Sequence, residues 1–356
     1  MFDIFFGLWY HKKRYALEIR GKEKFGILKA IRFGAVLALL CLCLTACGGS
    51  PPEEPETKRT FTVRKTETPE LGAIPDAAVP LSGAPSPGVV LTPQAPGTAA
   101  EQNNSAVIDF SNAADGYIMA KWTEGGEVRL KVLVKGPGGA SYQYNLRTDG
   151  AYEVFPLSDG SGEYTVGVYR NISGKEYAAV LSATFGAALS DEFAPFVRPN
   201  QYVNFDAQSA AVARAAELCA DAPDTLSRVE RVYTFVVRNT VYDTAKAEAV
   251  RSGYVPNVDE TLLSGRGICF DYAALMAAML RSQGVPVKLV VGYTGDVYHA
   301  WLSVWSEADG WIDGQIYFNG TEWKLMDPTF ASTGMGSDRM REYIDDASNY
   351  EAKYLY

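Results

Sequence analysis

Cys269 is the residue whose position in the sequence most directly suggests chemistry. It follows Gly265 and Gly267 and opens the run CFDYAALMAAMLRSQG, whose composition predicts a helix that begins at the cysteine. The free N–H groups and the positive end of the dipole at a helix N-terminus stabilise a thiolate. The sequence therefore predicts a nucleophilic thiol here, although a lone cysteine in an apolar helix is also a common buried core residue.

His299 and Asp327 are the two further residues that could serve such a thiol. His299 alternates with Val297 and Trp301 on a predicted strand, and it is the only histidine after residue 104. An imidazole beside a thiol takes its proton and later returns it to a leaving group. Asp327 follows a short apolar strand, where its carboxylate would hold the imidazole in the correct tautomer, but an Asp-Pro pair alone is also a common turn.

The segments around these residues read as helices followed by strands. Residues 207–220 and 224–239 are predicted helices, and Cys219 near the end of the first is expected to be buried. Residues 105–188 read instead as six or seven short strands separated by glycine turns, which is typical of a small antiparallel β-sandwich. We assign no chemistry to this sandwich, because it holds no cysteine, histidine or acidic cluster.

The N-terminal segment differs in charge from the rest of the chain. Residues 1–46 carry a formal charge of +5, whereas the whole chain carries -9, so the remainder is at -14. The uncharged run FGAVLALLCLCLTA before Cys47 is too short to cross a bilayer but fits the apolar region of a signal peptide. The acidic remainder argues against nucleic acid as a partner.

A proline-rich segment follows the predicted signal peptide. Ten of the eighteen prolines lie between Pro51 and Pro96, and Phe61 is the only aromatic residue between 48 and 104. Such a composition buries too little apolar surface to offset the entropy of ordering, so residues 47–104 are predicted to be a disordered linker.

Two resemblances to known families connect these segments. The ending LTACG, at positions 44–48, resembles a bacterial lipobox, which implies cleavage before Cys47 and a lipid on that residue. The words GRGICFDYA, LRSQGVPVKLVVGY, YHAWLSVW and WKLMDPT, in this order, resemble the transglutaminase-like superfamily over roughly residues 200–332. That resemblance implies a papain-like α+β fold with Cys269 as nucleophile, His299 as general base and acid, and Asp327 as orienting carboxylate.

These resemblances give the expected organisation of the chain. We expect a signal peptide at 1–46, the lipidated cysteine and linker at 47–104, the β-sandwich at 105–189 and an α+β transglutaminase-like domain at 190–356. Residues 307–322 are expected to form a hairpin or lid inserted between the histidine and aspartate strands. The tail is expected to form a short helix at 338–346 and a strand at 350–356 that packs on the catalytic sheet.

The implied reaction is acyl transfer from an amide through a thioester, and two acceptors stay open. Water would make the protein a peptidase or amidase, which we favour, and an amine would make it a cross-linking enzyme. A third alternative is an adhesion or scaffold module that keeps the fold without catalysis. The backbone N–H of Cys269 is expected to stabilise the oxyanion, with Tyr242 or Tyr254 as a second donor.

The remaining expectations concern cofactors, partners and location. No metal or other cofactor is expected, since no calcium-binding loop pattern is present. The expected substrate is a protein or peptide, cell-wall peptides included, and the expected location is the outer side of the bacterial cell membrane, through the lipid on Cys47. The sequence leaves the oligomeric state open.

Overall fold

The computed structural model describes residues 88–295, 297–313, 317–318, 323–324 and 349–356. Short antiparallel strands form the first part of this region. The predicted leader, most of the predicted linker, Cys47, Asp327 and the predicted helix at 338–346 lie outside these residues. The first sheet has the strand order β1-β2-β3-β6 and the second the order β5-β4-β7-β8. Their bounds are β1 Ala100–Gln102, β2 Ala106–Asp109, β3 Tyr117–Trp122, β4 Leu130–Lys135, β5 Ser141–Leu146, β6 Glu153–Pro156, β7 Gly162–Ser173 and β8 Glu176–Ala187.

Alternation along each strand explains how the two sheets pack. In β4, Leu130, Val132 and Val134 are buried, whereas Lys131 and Leu133 between them are only partly buried. Because successive side chains of a strand point to opposite faces, one face of β4 enters the core. The core residues of both sheets form one cluster, which includes Ile108, Ile118, Trp122, Val132, Tyr144, Phe155 and Val166. The predicted β-sandwich is confirmed.

The packed part of the chain begins before residue 105, where the sequence places the end of the linker. The N–H of Gly97 donates to the Asp109 carboxylate at 2.7 Å, and the N–H of Gln94 donates to the Tyr117 hydroxyl at 3.0 Å. Strand β1 then pairs with β2. Composition did not reveal this edge strand, because residues 88–104 are held mainly by backbone hydrogen bonds rather than by buried apolar side chains.

Five helices follow the sandwich within the described residues. They are α1 Ala210–Cys219, α2 Thr225–Asn239, α3 Thr244–Ala249, α4 Val258–Ser264 and α5 Cys269–Arg281. The carboxylate of Asp224 caps α2 by accepting the N–H of Ser227 at 2.7 Å, as expected for an aspartate at this position. Helix α5 is the central element, since every residue from Asp271 to Arg281 is buried.

A third antiparallel sheet packs on α5. Its strand order is β13-β12-β11-β16, with bounds β11 Val287–Thr294, β12 Val297–Ser306, β13 Gly310–Asp313 and β16 Tyr350–Leu355. The predicted terminal strand therefore exists and pairs with β11. Within the predicted insertion, β13 pairs with β12, while β14 Tyr317–Phe318 and β15 Trp323–Lys324 pair with each other.

Arg281 fixes the far end of α5. Its side chain is fully buried and donates to the carbonyl oxygens of Val287, Tyr356 and Arg198 at 2.6 to 3.1 Å. Burial lowers the pKa of this guanidinium to about 9. The Arg281 side chain thus links α5 to the start of β11 and to the residue that follows β16.

The sandwich and the helical part share one continuous hydrophobic core. Tyr142 and Tyr144 of β5 contact the rings of Tyr354 and Tyr356, with centroid separations of 5.6 to 5.8 Å. Tyr202, in the segment between the two parts, lies 5.5 Å from Tyr144. The predicted class, α+β with a preceding antiparallel sandwich, is confirmed, and the two parts are packed together. No helix among the described residues is both long enough and apolar enough to cross a membrane.

Candidate active site

Cys269 is the first residue of α5, as predicted. It is a free cysteine that is neither buried nor fully exposed, and it follows Ile268, whose extended backbone ends the preceding segment. Cys219 is also a free thiol, but it is buried at the end of α1, and burial raises its pKa. The two free thiols therefore differ in access, and only Cys269 stands at a helix N-terminus, where a thiolate is stabilised.

The two glycines before Cys269 shape the chain between α4 and α5. Gly265 ends α4 in the left-handed conformation, with φ of 60°. A side chain on Gly267 would meet the Cβ of Asp271 at 2.6 Å. These glycines therefore permit a helix end and the close approach of Asp271.

The short segment between these helices is itself held in a two-stranded parallel sheet. Strand β10, Arg266–Gly267, pairs with β9, Val241–Tyr242. This pairing fixes the chain immediately before Cys269 against the chain that leaves α2. It places Tyr242, one of the candidate oxyanion donors, next to the segment that leads into the cysteine.

His299 lies near the start of β12 and is buried, with 6% of its surface exposed. It is paired across the sheet with Gly292, and its ring centroid is 6.2 Å from that of Trp301. Ala300 and Leu302 belong to the core that includes α5. Since side chains alternate along a strand, His299 and Trp301 lie on the other face of β12.

Tyr298 connects this strand end with Cys269. Its side chain is 56% exposed, and its ring is 5.4 Å from that of Tyr293 on the neighbouring strand. Local burial, together with smaller contributions from the nearby Tyr354, Tyr293 and Cys269, raises the pKa of Tyr298 to about 12. Its hydroxyl therefore stays protonated at neutral pH, and Cys269 lies close to the start of β12.

The structure thus places Cys269 near the start of β12, whereas the His299 side chain lies on the face of that strand opposite to the one that packs on α5. Cys269 starts α5 and lies near Tyr298, the residue that precedes His299 in the chain. Asp327 lies outside the described residues, as does the predicted lipidation site Cys47. Within the described ranges, no three His, Cys, Asp or Glu side chains are grouped as metal ligands would be.

Asp271 is a site residue that the sequence analysis missed. It is completely buried in the first turn of α5, and the hydroxyl of Tyr254 donates to it at 2.5 Å. Tyr254 was a candidate oxyanion donor, but its hydroxyl is engaged by this carboxylate. A signal for Asp271 was present in the sequence, since an acidic residue in a helix first turn commonly accepts backbone N–H groups.

Comparison with known proteins finds a family that is similar to the segment carrying this site. Residues 212–328 match the model of the transglutaminase-like superfamily, and this range contains Cys269, His299 and Asp327. A protein-glutamine gamma-glutamyltransferase of Pseudomonas aeruginosa is 27% identical over 113 residues, which cover 28% of this chain and 15% of that protein. An uncharacterised protein of Mycobacterium tuberculosis is 31% identical over 94 residues, which cover 23% of this chain and 30% of that protein.

The chain thus spans less than a third of the length of these curated relatives. Among solved structures, a proposed cysteine protease from Cytophaga hutchinsonii is similar at a TM-score of 0.35 and 13% identity, covering 73% of this chain and 74% of that one. The matched words of the sequence and the family model agree on the same segment. Residues 212–328 of this chain are thus similar to the transglutaminase-like superfamily.

Proposed function

We propose that this protein is a cysteine enzyme that cleaves amide or peptide bonds through a thioester on Cys269. The observation that carries the proposal is the place of this thiol, which is partly exposed at the first position of a helix whose later residues are buried. The aligned N–H groups there stabilise a thiolate and, in the next step, an oxyanion. A cysteine with only a packing role has no need of this position.

The proposed reaction uses His299 to move one proton in each direction. The imidazole accepts the thiol proton, the thiolate attacks the amide carbonyl, and a C–S bond forms while the C–N bond breaks. The imidazolium gives its proton to the departing amine. Water then attacks the thioester, which yields a carboxylic acid and restores the thiol. In this proposal Asp327 orients the imidazole.

Two acceptors of the acyl group are chemically equivalent up to the thioester. We propose water, and therefore hydrolysis, as the main reaction. Transfer to a primary amine is the second candidate, and the similarity to the gamma-glutamyltransferase of P. aeruginosa favours it. The substrate we propose is a protein or peptide, cell-wall peptides included, and we propose that a lipid on Cys47 holds the enzyme on the outer side of the bacterial membrane.

Selective alkylation of the two free thiols tests the nucleophile. The full chain is treated with iodoacetamide at pH 7, and the modification of Cys269 and Cys219 is followed by peptide mass spectrometry. We expect Cys269 to react at least about tenfold faster, because Cys219 is buried and its pKa is raised. A His299→Gln variant is expected to slow Cys269 at pH 7 and to leave Cys219 unchanged. Equal, slow alkylation of both thiols would support a non-catalytic module instead.

Product analysis separates the two acceptors. The protein is incubated with peptidoglycan-derived peptides, and separately with a glutamine peptide plus a labelled primary amine. We expect new carboxylate ends in the first incubation and little labelled amine incorporated in the second. Incorporation that exceeds hydrolysis would make amine transfer the main reaction. Cys269→Ala is expected to abolish both reactions, with Cys219→Ala as the matched control, and turnover by Cys269→Ala would refute the mechanism.

A further inference from the structure

Asp271 brings a buried negative charge into the turn that begins with Cys269. Its carboxylate is two positions along the helix from the thiol, and none of its surface is exposed. One oxygen accepts the N–H of Ile268 at 2.9 Å, which satisfies a backbone group at the helix start. The same charge opposes ionisation of a neighbouring thiol, because two negative charges in a poorly solvated region repel each other.

Two residues from outside the helix meet this carboxylate. The ammonium of Lys246, on α3, lies 2.8 Å from one oxygen of Asp271, and the hydroxyl of Tyr254 donates to the other at 2.5 Å. The Lys246 ammonium also lies 4.7 Å from the centre of the Tyr254 ring. The three side chains form one connected group that joins the segment 246–254 to the first turn of α5.

The ionisation states of this group follow from its contacts. Burial by itself lowers the pKa of Lys246, but the bonds to Asp271 and Tyr254 outweigh it and raise this pKa above its ordinary value. Burial and the bond to Asp271 raise the pKa of Tyr254 to about 12. At neutral pH the lysine is therefore charged and the tyrosine is a hydrogen-bond donor.

Among the described residues, the elements next to Cys269 carry further charged or titratable groups. On β12 they are Tyr298, which stays neutral, and His299. On the segments before α5 they are Asp243 and Arg266, which pair with each other at 3.5 Å near the surface. Lys246 is thus the cation that directly compensates the buried carboxylate.

We propose that Lys246 and Tyr254 are positioning residues that balance the charge of Asp271, so that the N-terminus of α5 presents a net positive field to Cys269. The inference rests on the proposed function of Cys269 as the nucleophile. It explains how the helix can use an acidic residue to fix its first turn without losing the stabilisation of a thiolate. It also gives the exposed segment 246–254 a role in setting the reactivity of the site.

The test is the pH profile of Cys269 alkylation by iodoacetamide, measured on the full chain. Lys246→Met leaves the buried carboxylate without its cation, and we expect the midpoint of the profile to rise by about one pH unit. The rate at pH 7 should then fall up to about tenfold, while the rate well above the midpoint stays near that of the wild type. Lys246→Arg keeps the charge and is expected to restore the midpoint.

The controls distinguish this role from a merely structural one. Lys121→Met is matched, because the Lys121 ammonium also lies over a tyrosine ring, at 4.5 Å from that of Tyr152, but in the sandwich. It is expected to leave the midpoint unchanged. Tyr254→Phe removes one donor from Asp271 and should raise the midpoint by about half a unit, which keeps the inference testable if Lys246→Met fails to fold.

Two different results would overturn different statements. A folded Lys246→Met or Tyr254→Phe variant with the wild-type midpoint would refute the charge-balancing role and leave the nucleophile in place. Alkylation of Cys269 in the wild type that is as slow as that of the buried Cys219 would instead refute the proposed function.

Discussion

Replacement of Tyr202 by alanine is expected to loosen the packing of the β-sandwich on the domain that carries Cys269. The Tyr202 ring lies 5.5 Å from that of Tyr144 in the sandwich, 5.2 Å from that of Phe270, and 4.7 Å from that of Tyr356. Phe270 is the residue that follows Cys269. One side chain thus connects the sandwich, the terminal segment and the start of α5.

The magnitude follows from the burial of this side chain. Tyr202 is only 8% exposed. A tyrosine buries on the order of 150–250 Å², which at about 25 cal/mol per Å² corresponds to about 4–6 kcal/mol. Loss of the ring contacts adds to this value and partial collapse of the cavity subtracts from it, so we expect Tyr202→Ala to lower the free energy of unfolding by about 4 kcal/mol. For a folded region of this size, the melting temperature should fall by about 10 °C.

Urea unfolding followed by circular dichroism and by tryptophan fluorescence measures this loss. Tyr202→Phe is the matched control, because it keeps the ring and its three partners, and it should cost less than about 1 kcal/mol. A Tyr202→Ala variant that loses less than about 1 kcal/mol would refute the argument that these ring contacts hold the two parts together. We also expect the rate of Cys269 alkylation to change in Tyr202→Ala, because Phe270 loses its contact with the Tyr202 ring.

Two further predictions concern the terminal strand and alkaline pH. Gly292→Ala should strongly destabilise the fold, because a Cβ there would meet the carbonyl oxygen of Glu351 at 2.0 Å. Gly186→Ala, at a strand position with open space around it, should be tolerated. Equal melting temperatures of the two variants would contradict this prediction. Because folded tyrosines with raised pKa values keep protons that unfolded tyrosines lose near pH 10, the contribution of these tyrosines to stability should be constant well below pH 10 and fall between pH 10 and 12. Urea midpoints at pH 8, 10 and 11 measure this fall, and a constant midpoint would contradict it. The tyrosines with raised pKa values include Tyr144, Tyr202, Tyr254, Tyr298 and Tyr356.

Most strands and helices could be predicted, because each is formed by a pattern of apolar and polar residues that are close together in the sequence. The alternation of Leu130, Val132 and Val134 gave a strand, and the helical spacing in 224–239 gave a helix capped by Asp224. The short helices α3 and α4 were missed, since six or seven residues hold too little periodicity to be recognised. The pairing of β16 with β11 was expected only as packing on the sheet, because a local pattern does not specify a partner strand some sixty residues away.

The candidate site was predicted in part for the same reason. The position of Cys269 at a helix start follows from the residues around it, and the structure confirms it. The group formed by Asp271, Lys246 and Tyr254 could not be predicted, since α5 and the segment 246–254 meet only in the folded chain. The sequence suggested the Tyr254 hydroxyl as an oxyanion donor, but in the structure this hydroxyl donates to the buried carboxylate of Asp271.

The β-sandwich reaches this group directly, which bears on why the two parts occur in one chain. The side-chain amide of Asn145, on β5, donates to the carbonyl oxygen of Gly253 at 3.2 Å. Gly253 has φ of 88°, and a side chain there would meet the Asn145 amide nitrogen at 2.1 Å, so the sandwich closely contacts the residue before Tyr254. A movement of the sandwich would therefore shift Tyr254 and its bond to Asp271. By this route, a sandwich that has no chemistry of its own can influence the first turn of the helix that begins with Cys269.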